Sequence, residues 1–150
     1  MIGRLRKFIE LEPDRRRALW RAFGALRAAR RDLKRRPFRD LVGALQPVGG
    51  ERDEVDLGPQ DQKRVGDIAW AVRVASRYAP FDSSCLIQVL AARALLREAG
   101  IAGTIYIGAG QNEDNSDAGF AAHAWLRCGQ TFVTGEAGHE RYAVIGVVSW

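Results

Sequence analysis

The segment 85–99 constrains this chain more than any other. It reads Cys-Leu-Ile-Gln-Val-Leu-Ala-Ala-Arg-Ala-Leu-Leu-Arg-Glu-Ala, with apolar residues on nearly every side of a helical projection and only Gln88, Arg93, Arg97 and Glu98 as breaks. A helix that is apolar all round must be covered by neighbours on several sides, so this one belongs at the centre of a fold. Asp82, Ser83 and Ser84 offer three successive N-cap candidates before it, and Gly100 suits the residue that ends it. From Ile101 the hydrophobic period becomes alternating. Strands are expected at about 101–107, 120–127, 131–134 and 142–148, with a polar loop over 111–118. Helices followed by strands predict an α+β fold, in which the buried helix packs on an antiparallel sheet of about four strands.

Two further helices precede the central one. Pro13 suits a first helical turn, and Leu19, Ala22, Phe23, Leu26, Ala29 and Leu33 recur at three- and four-residue spacing until Pro37. Pro59 opens a second amphipathic segment, with Val65, Ile68, Ala69, Val72 and Ala75 on one face, which Pro80 closes. Between them, residues 43–58 are glycine-rich and acidic and read as an exposed connector. With 150 residues, 47% of them hydrophobic, the whole of 1–150 is expected to form a single domain.

Charge is uneven. Residues 1–50 hold 14 Lys or Arg against 5 Asp or Glu, whereas residues 51–150 hold 9 against 13. The basic character therefore belongs to the helical N-terminal region, residues 1–42. Such a face can meet nucleic acid, an anionic membrane surface or an acidic protein. No aromatic-interleaved RNA motif, zinc knuckle or helix-turn-helix pattern accompanies the charge, which argues against nucleic acid. No apolar run approaches the ~20 residues of a membrane span, and no signal peptide is visible, so a cytoplasmic location is expected. Two cysteines are too few for a disulfide scaffold.

Chemistry concentrates on few residues. Cys85 opens the central helix, where unpaired backbone N–H groups and the helix dipole favour a thiolate and can stabilise an oxyanion. Packing alone also accounts for a cysteine there. His123 stands in Ala121-Ala122-His123-Ala124-Trp125, and alternation puts His123, Trp125 and Arg127 on one face of the strand. If that face looks at the start of the helix, Cys85 and His123 can act as nucleophile and proton shuttle in acyl transfer. Ser84, Gln88 and Trp125 are candidates for the vicinity of the substrate or oxyanion, each with a plain structural alternative as cap, buried hydrogen-bonded residue and core aromatic. Cys128 reads as an incidental thiol and His139 as a rim residue. No metal is expected, because Cys85, His123, Cys128 and His139 lack ligand spacing, and no cofactor motif is present.

Together Cys85-Leu86, the segment 95–101 (Leu-Leu-Arg-Glu-Ala-Gly-Ile) and Gly119-Phe120-Ala121-Ala122-His123-Ala124-Trp125 resemble the transglutaminase-like cysteine peptidases that remove leader peptides in lasso peptide biosynthesis. Arg36-Pro37-Phe38 and Pro80-Phe81 extend the likeness from about residue 13 to the C-terminus. The resemblance implies a papain-like fold, with Cys85 as nucleophile and His123 as general base and then acid. It implies a ribosomally made precursor peptide as substrate, a separate leader-recognition protein as partner, and an ATP-using cyclase as the next enzyme in the maturation.

Transglutaminase-like enzymes also place an Asp on the strand after the histidine, to orient the imidazole. Folding the hairpin about Gly129 sets residue 135 opposite His123, and residue 135 is Gly. Glu136 is the nearest carboxylate and the expected third member, on the wrong face unless the strand bulges or ends. Glu140, Asp117, Thr134 or a backbone carbonyl are the other possibilities. Two further readings follow from the gap and from the charge: a noncatalytic peptide-binding or scaffold protein with a degenerate triad, and an Arg-rich nucleic-acid binder.

Overall fold

A computed structural model describes residues 11–49, 56–111 and 119–150. Helix α1 (Pro13–Arg35) starts on its proline and buries Leu19, Ala22, Leu26 and Ala29, the stripe expected from the spacing. Pro37 ends it by forcing Arg36 into extended backbone. A short helix α2 (Phe38–Val42) follows, which the residue pattern does not announce, and it buries Val42. Helix α3 (Pro59–Tyr78) buries Val65, Ala71, Val72 and Ala75 and stops before Pro80. Of the connector 43–58, residues 50–55 lie outside the described residues. Gln46 exchanges two backbone hydrogen bonds with Val147, so the connector is tied to the sheet edge rather than wholly free.

Helix α4 (Cys85–Glu98) is the central one. It buries Ile87, Val89, Leu90, Ala91, Ala92, Leu95 and Leu96, which point in nearly all directions around its axis. Its end is a Schellman motif: the Ile101 N–H reaches the Leu96 carbonyl at 2.9 Å and the Gly100 N–H reaches the Arg97 carbonyl at 3.0 Å. That geometry needs a left-handed residue, and Gly100 supplies it with φ of +70°.

Strands β1 (Thr104–Gln111), β2 (Phe120–Cys128), β3 (Thr131–Thr134) and β4 (Ala143–Ser149) form one antiparallel sheet in the order β3-β2-β1-β4. A short 3-10 turn, His139–Arg141, precedes β4. The helices share one core cluster with a single face of the sheet, built by Ile105, Ala124, Leu126, Cys128, Val133 and Val148. Buried helix on antiparallel sheet is the α+β architecture expected from the sequence.

The register differs from a strict hairpin about Gly129. Arg127 pairs with Phe132, but a bulge then brings Leu126 opposite Thr134, and β3 ends there. Residue 135 is therefore the first residue of a loop rather than a strand partner of His123. Among the described residues, no helix is long and apolar enough to cross a membrane.

Candidate active site

Cys85 is the first residue of α4 and is half-buried, leaning on the core between helices and sheet. Ser84 takes the N-cap position, yet among the described residues no side chain caps the helix, contrary to the hydroxyl cap expected there. The segment before Cys85 is instead held through Ser83. Its hydroxyl donates to the Ser76 carbonyl at 3.0 Å, and its own carbonyl accepts from the Gln88 amide nitrogen at 2.9 Å. Gln88 thus takes the structural role of its two alternatives. Among the described residues no side chain accepts from the first-turn N–H groups beside Cys85, and such groups stabilise negative charge.

His123 sits on β2 opposite Gly108 of β1. Its Nε2–H donates to the Gly135 carbonyl at 2.8 Å. In the neutral ring this bond leaves Nδ1 as the nitrogen with a free lone pair. Gly135 has φ of +75°, and a Cβ there would lie 2.5 Å from the Ala124 carbonyl oxygen and 2.7 Å from Trp125 Cβ. Only glycine lets the loop pass so close to β2 and turn its carbonyl to the ring.

The place expected for Glu136 is thus taken by the backbone one residue earlier. The Glu136 side chain is exposed, and among the described residues its carboxylate makes no hydrogen bond. Its carbonyl accepts from His139 Nδ1–H at 2.6 Å, so two successive carbonyls of this loop each hold an imidazole. The physical reason is the bulge: it ends β3 at Thr134 and lets the chain turn, so backbone rather than side chain meets the ring. Thr134 does not orient His123 either, since its hydroxyl is buried without a hydrogen bond among the described residues. Glu140 lies 3.4 Å from His139, and Asp117 falls outside the described residues.

Aromatic rings wall the imidazole. Trp125, 4% exposed, stacks near His123 at 5.8 Å between centroids and on Tyr106 at 5.7 Å, and Tyr142 stands 5.1 Å from His123. Gly108 makes room for them: a Cβ there would lie 2.7 Å from Tyr142 Cβ and 2.8 Å from the Trp125 ring. His139 joins this wall against Trp125 and Phe132, so it is more than a rim residue.

Two groups of residues result. Ser84, Cys85 and Gln88 share the start of α4, while His123, Trp125 and the Gly135 carbonyl share the outer end of β2. Alternation turns Ala124, Leu126 and Cys128 to the helical core and His123 and Trp125 to the other side of the strand. Among the described residues Cys85 Sγ makes no hydrogen bond, to His123 or to any other group. The face expected to look at the helix start is the aromatic-walled one.

The second thiol is different in kind. Burial pushes Cys128 up to about 12, which keeps it protonated and unreactive at neutral pH. Among the described residues, no group of three or more His, Cys, Asp or Glu is arranged to hold a metal ion.

A model of the transglutaminase-like superfamily matches residues 25–147, which takes in α4, β1 to β3 and most of β4. The chain belongs to the transglutaminase-like superfamily. That superfamily includes cysteine peptidases and transglutaminases. Comparison with curated proteins and with solved structures found no match.

Proposed function

We propose that this transglutaminase-like protein is a cysteine peptidase that cuts one peptide bond of a ribosomally made precursor, releasing its leader, as the resemblance to the lasso peptide leader peptidases implies. The observation that carries this reading is the bond from His123 Nε2 to the Gly135 carbonyl. It fixes the ring and reserves Nδ1 for proton transfer, the role filled in the family by an Asp partner.

The chemistry then runs as acyl transfer. His123 Nδ1 takes the thiol proton, and the Cys85 sulfur adds to the scissile carbonyl carbon. The N–H groups of the first turn of α4 receive the charge on the carbonyl oxygen. Imidazolium Nδ1–H protonates the leaving amine as the C–N bond breaks, leaving a thioester on Cys85. His123 next removes a proton from water, whose oxygen attacks the thioester carbon; the C–S bond breaks, the acid is freed, and imidazolium Nδ1–H returns the proton to the Cys85 sulfur. β2 turns His123 away from the helical core, so acyl transfer requires the end of β2 and its loop to move in the substrate complex until Nδ1 reaches the Cys85 sulfur. A separate leader-recognition protein presents the precursor, an ATP-using cyclase takes the product, and the cytoplasm keeps the thiol reduced.

A second reading is favoured by one observation, the lack of a hydrogen bond between Cys85 and His123: a peptide-binding scaffold that retains the residues without turnover. Cleavage of the precursor in the presence of the recognition protein decides between them. Cys85→Ala is expected to abolish cleavage while leaving peptide binding intact, and full activity of Cys85→Ala refutes the mechanism. Iodoacetamide at pH 6 is expected to label Cys85 well before Cys128. Equal, slow labelling of both favours the scaffold.

A further inference from the structure

A groove of about 500 Å³ runs between α1 and α4, and neither Cys85 nor His123 lines it. Small side chains line much of it, Gly24, Ala25 and Ala28 from α1 and Ala94 from α4, beside Leu41, Leu90 and Leu95. Arginines stand along it: Arg36 at the C-terminal end of α1, Arg93 in the middle and Arg97 one turn further along α4. Arg36 and Arg97 belong to the two family-like segments, 36–38 and 95–101, that the proposed chemistry leaves unused.

The charges do not cancel. Of the two carboxylates in the groove, Glu98 is paired with Arg21, which also lines it, and Asp32 with Arg31, which does not. Among the described residues Arg36, Arg93 and Arg97 have no carboxylate partner. Arg93 is the telling one. It reaches the Leu41 carbonyl at 3.3 Å and lies over the Trp150 ring at 5.5 Å, while its Nε is buried with no hydrogen-bond partner. Burial, with Arg97 behind it, pulls this guanidinium below its ordinary value. A half-buried cation beside a second cation is a costly arrangement that an anion at its exposed end would relieve.

We infer that the groove between α1 and α4 binds an acidic peptide segment of another chain, carboxylates on Arg36, Arg93 and Arg97 and backbone over the small side chains. Length and chemistry select this occupant. From Arg21 to Arg36 the face of α1 extends roughly 22 Å at 1.5 Å per residue. That span suits about six or seven residues of extended chain at ~3.3 Å each. Guanidinium forks match carboxylates bidentately, and the small side chains admit a peptide backbone closely. Nucleic acid fits less well, since among the described residues no aromatic side chain lines the groove as a stacking platform. The inference is independent of whether Cys85 cleaves a bond.

The test is binding of a fluorescein-labelled peptide of about ten residues, alternating Glu and Ala, to the full chain at moderate salt, read by anisotropy. Its Gln counterpart and a single-stranded RNA of similar length serve as competitors. The double variant Arg36→Glu/Arg97→Glu changes two exposed residues, so the fold is expected to persist and thermal melting checks it. Arg27→Glu/Lys34→Glu removes the same charge from another face of α1. The inference predicts at least tenfold weaker binding for the first pair, less than threefold for the second, and no competition by the Gln peptide. Equal losses in both pairs, binding of the Gln peptide as tight as the Glu peptide, or RNA binding tighter than the peptide with the same dependence on Arg36 and Arg97 would each overturn it.

Discussion

Replacing Gly135 by alanine isolates the group that orients His123. The substitution has two effects of known size. A left-handed alanine costs roughly 1–2 kcal/mol, and the φ of +75° places residue 135 in that region. The new Cβ would stand 2.5 Å from the Ala124 carbonyl oxygen. That oxygen belongs to strand backbone and the next contact is Trp125 Cβ, so no flexible side chain can give way. Restoring an ordinary contact of 3.4 Å requires the loop to retreat by about 0.9 Å. Such a retreat draws the Gly135 carbonyl from 2.8 Å to beyond hydrogen-bond range of Nε2. A stability loss of about 2–4 kcal/mol in total is expected.

Gly100→Ala is the matched control. Its φ of +70° carries the same strain, but no atom lies within 4 Å of its Cβ, and it is far along the chain from the imidazole. Both variants are assayed for precursor cleavage well below their melting temperatures, so that each is fully folded. Gly135→Ala is expected to lose roughly 10–100-fold in kcat/KM, by analogy with the loss of partners that orient metal-bound imidazoles. Gly100→Ala is expected to melt earlier with unchanged kcat/KM. A folded Gly135→Ala protein that cleaves no more slowly than Gly100→Ala refutes the reasoning.

His123→Ala is expected to reduce cleavage by orders of magnitude, whereas Glu136→Ala, whose carboxylate is exposed, changes it less than threefold; a larger loss for Glu136→Ala than for Gly135→Ala would restore the carboxylate to the third role. Alkaline stability reports on Cys128. Its folded value of about 12 lies above the ordinary 9.0, so the folded chain holds this proton more tightly, and the contribution is complete below pH 9 and lost as pH rises from 9 to 12. The loss reaches at most about 4 kcal/mol, and Cys128→Ala is expected to flatten the denaturant midpoint over that range relative to wild type. An identical alkaline decline in both proteins would show that the thiol does not ionise at the expense of folding.

Local order in this chain was legible because it repeats. Two long helices follow from apolar spacing between prolines, α4 from an apolar run ended by Gly100, and the strands from alternation after Ile101. Periodicity is a property of one segment and its burial, so residues alone report it. The short α2 and the bridge from Gln46 to Val147 were not legible, because a five-residue helix has too few turns to show a period and a single bridge depends on what lies beside it.

The site divides along the same line. The start of α4 at Cys85 and the sharing of one strand face by His123 and Trp125 could be read from the sequence. Alternation gives only which residues share a face, and that this face turns away from the helical core was decided by how the sheet packs. What holds His123 was decided only by tertiary structure. A one-residue bulge between β2 and β3 ends the strand at Thr134 and turns a glycine's carbonyl, rather than the side chain of Glu136, toward the ring. Side chains announce themselves in a sequence, but every residue has the same carbonyl, and where it points depends on how the chain has already folded around it.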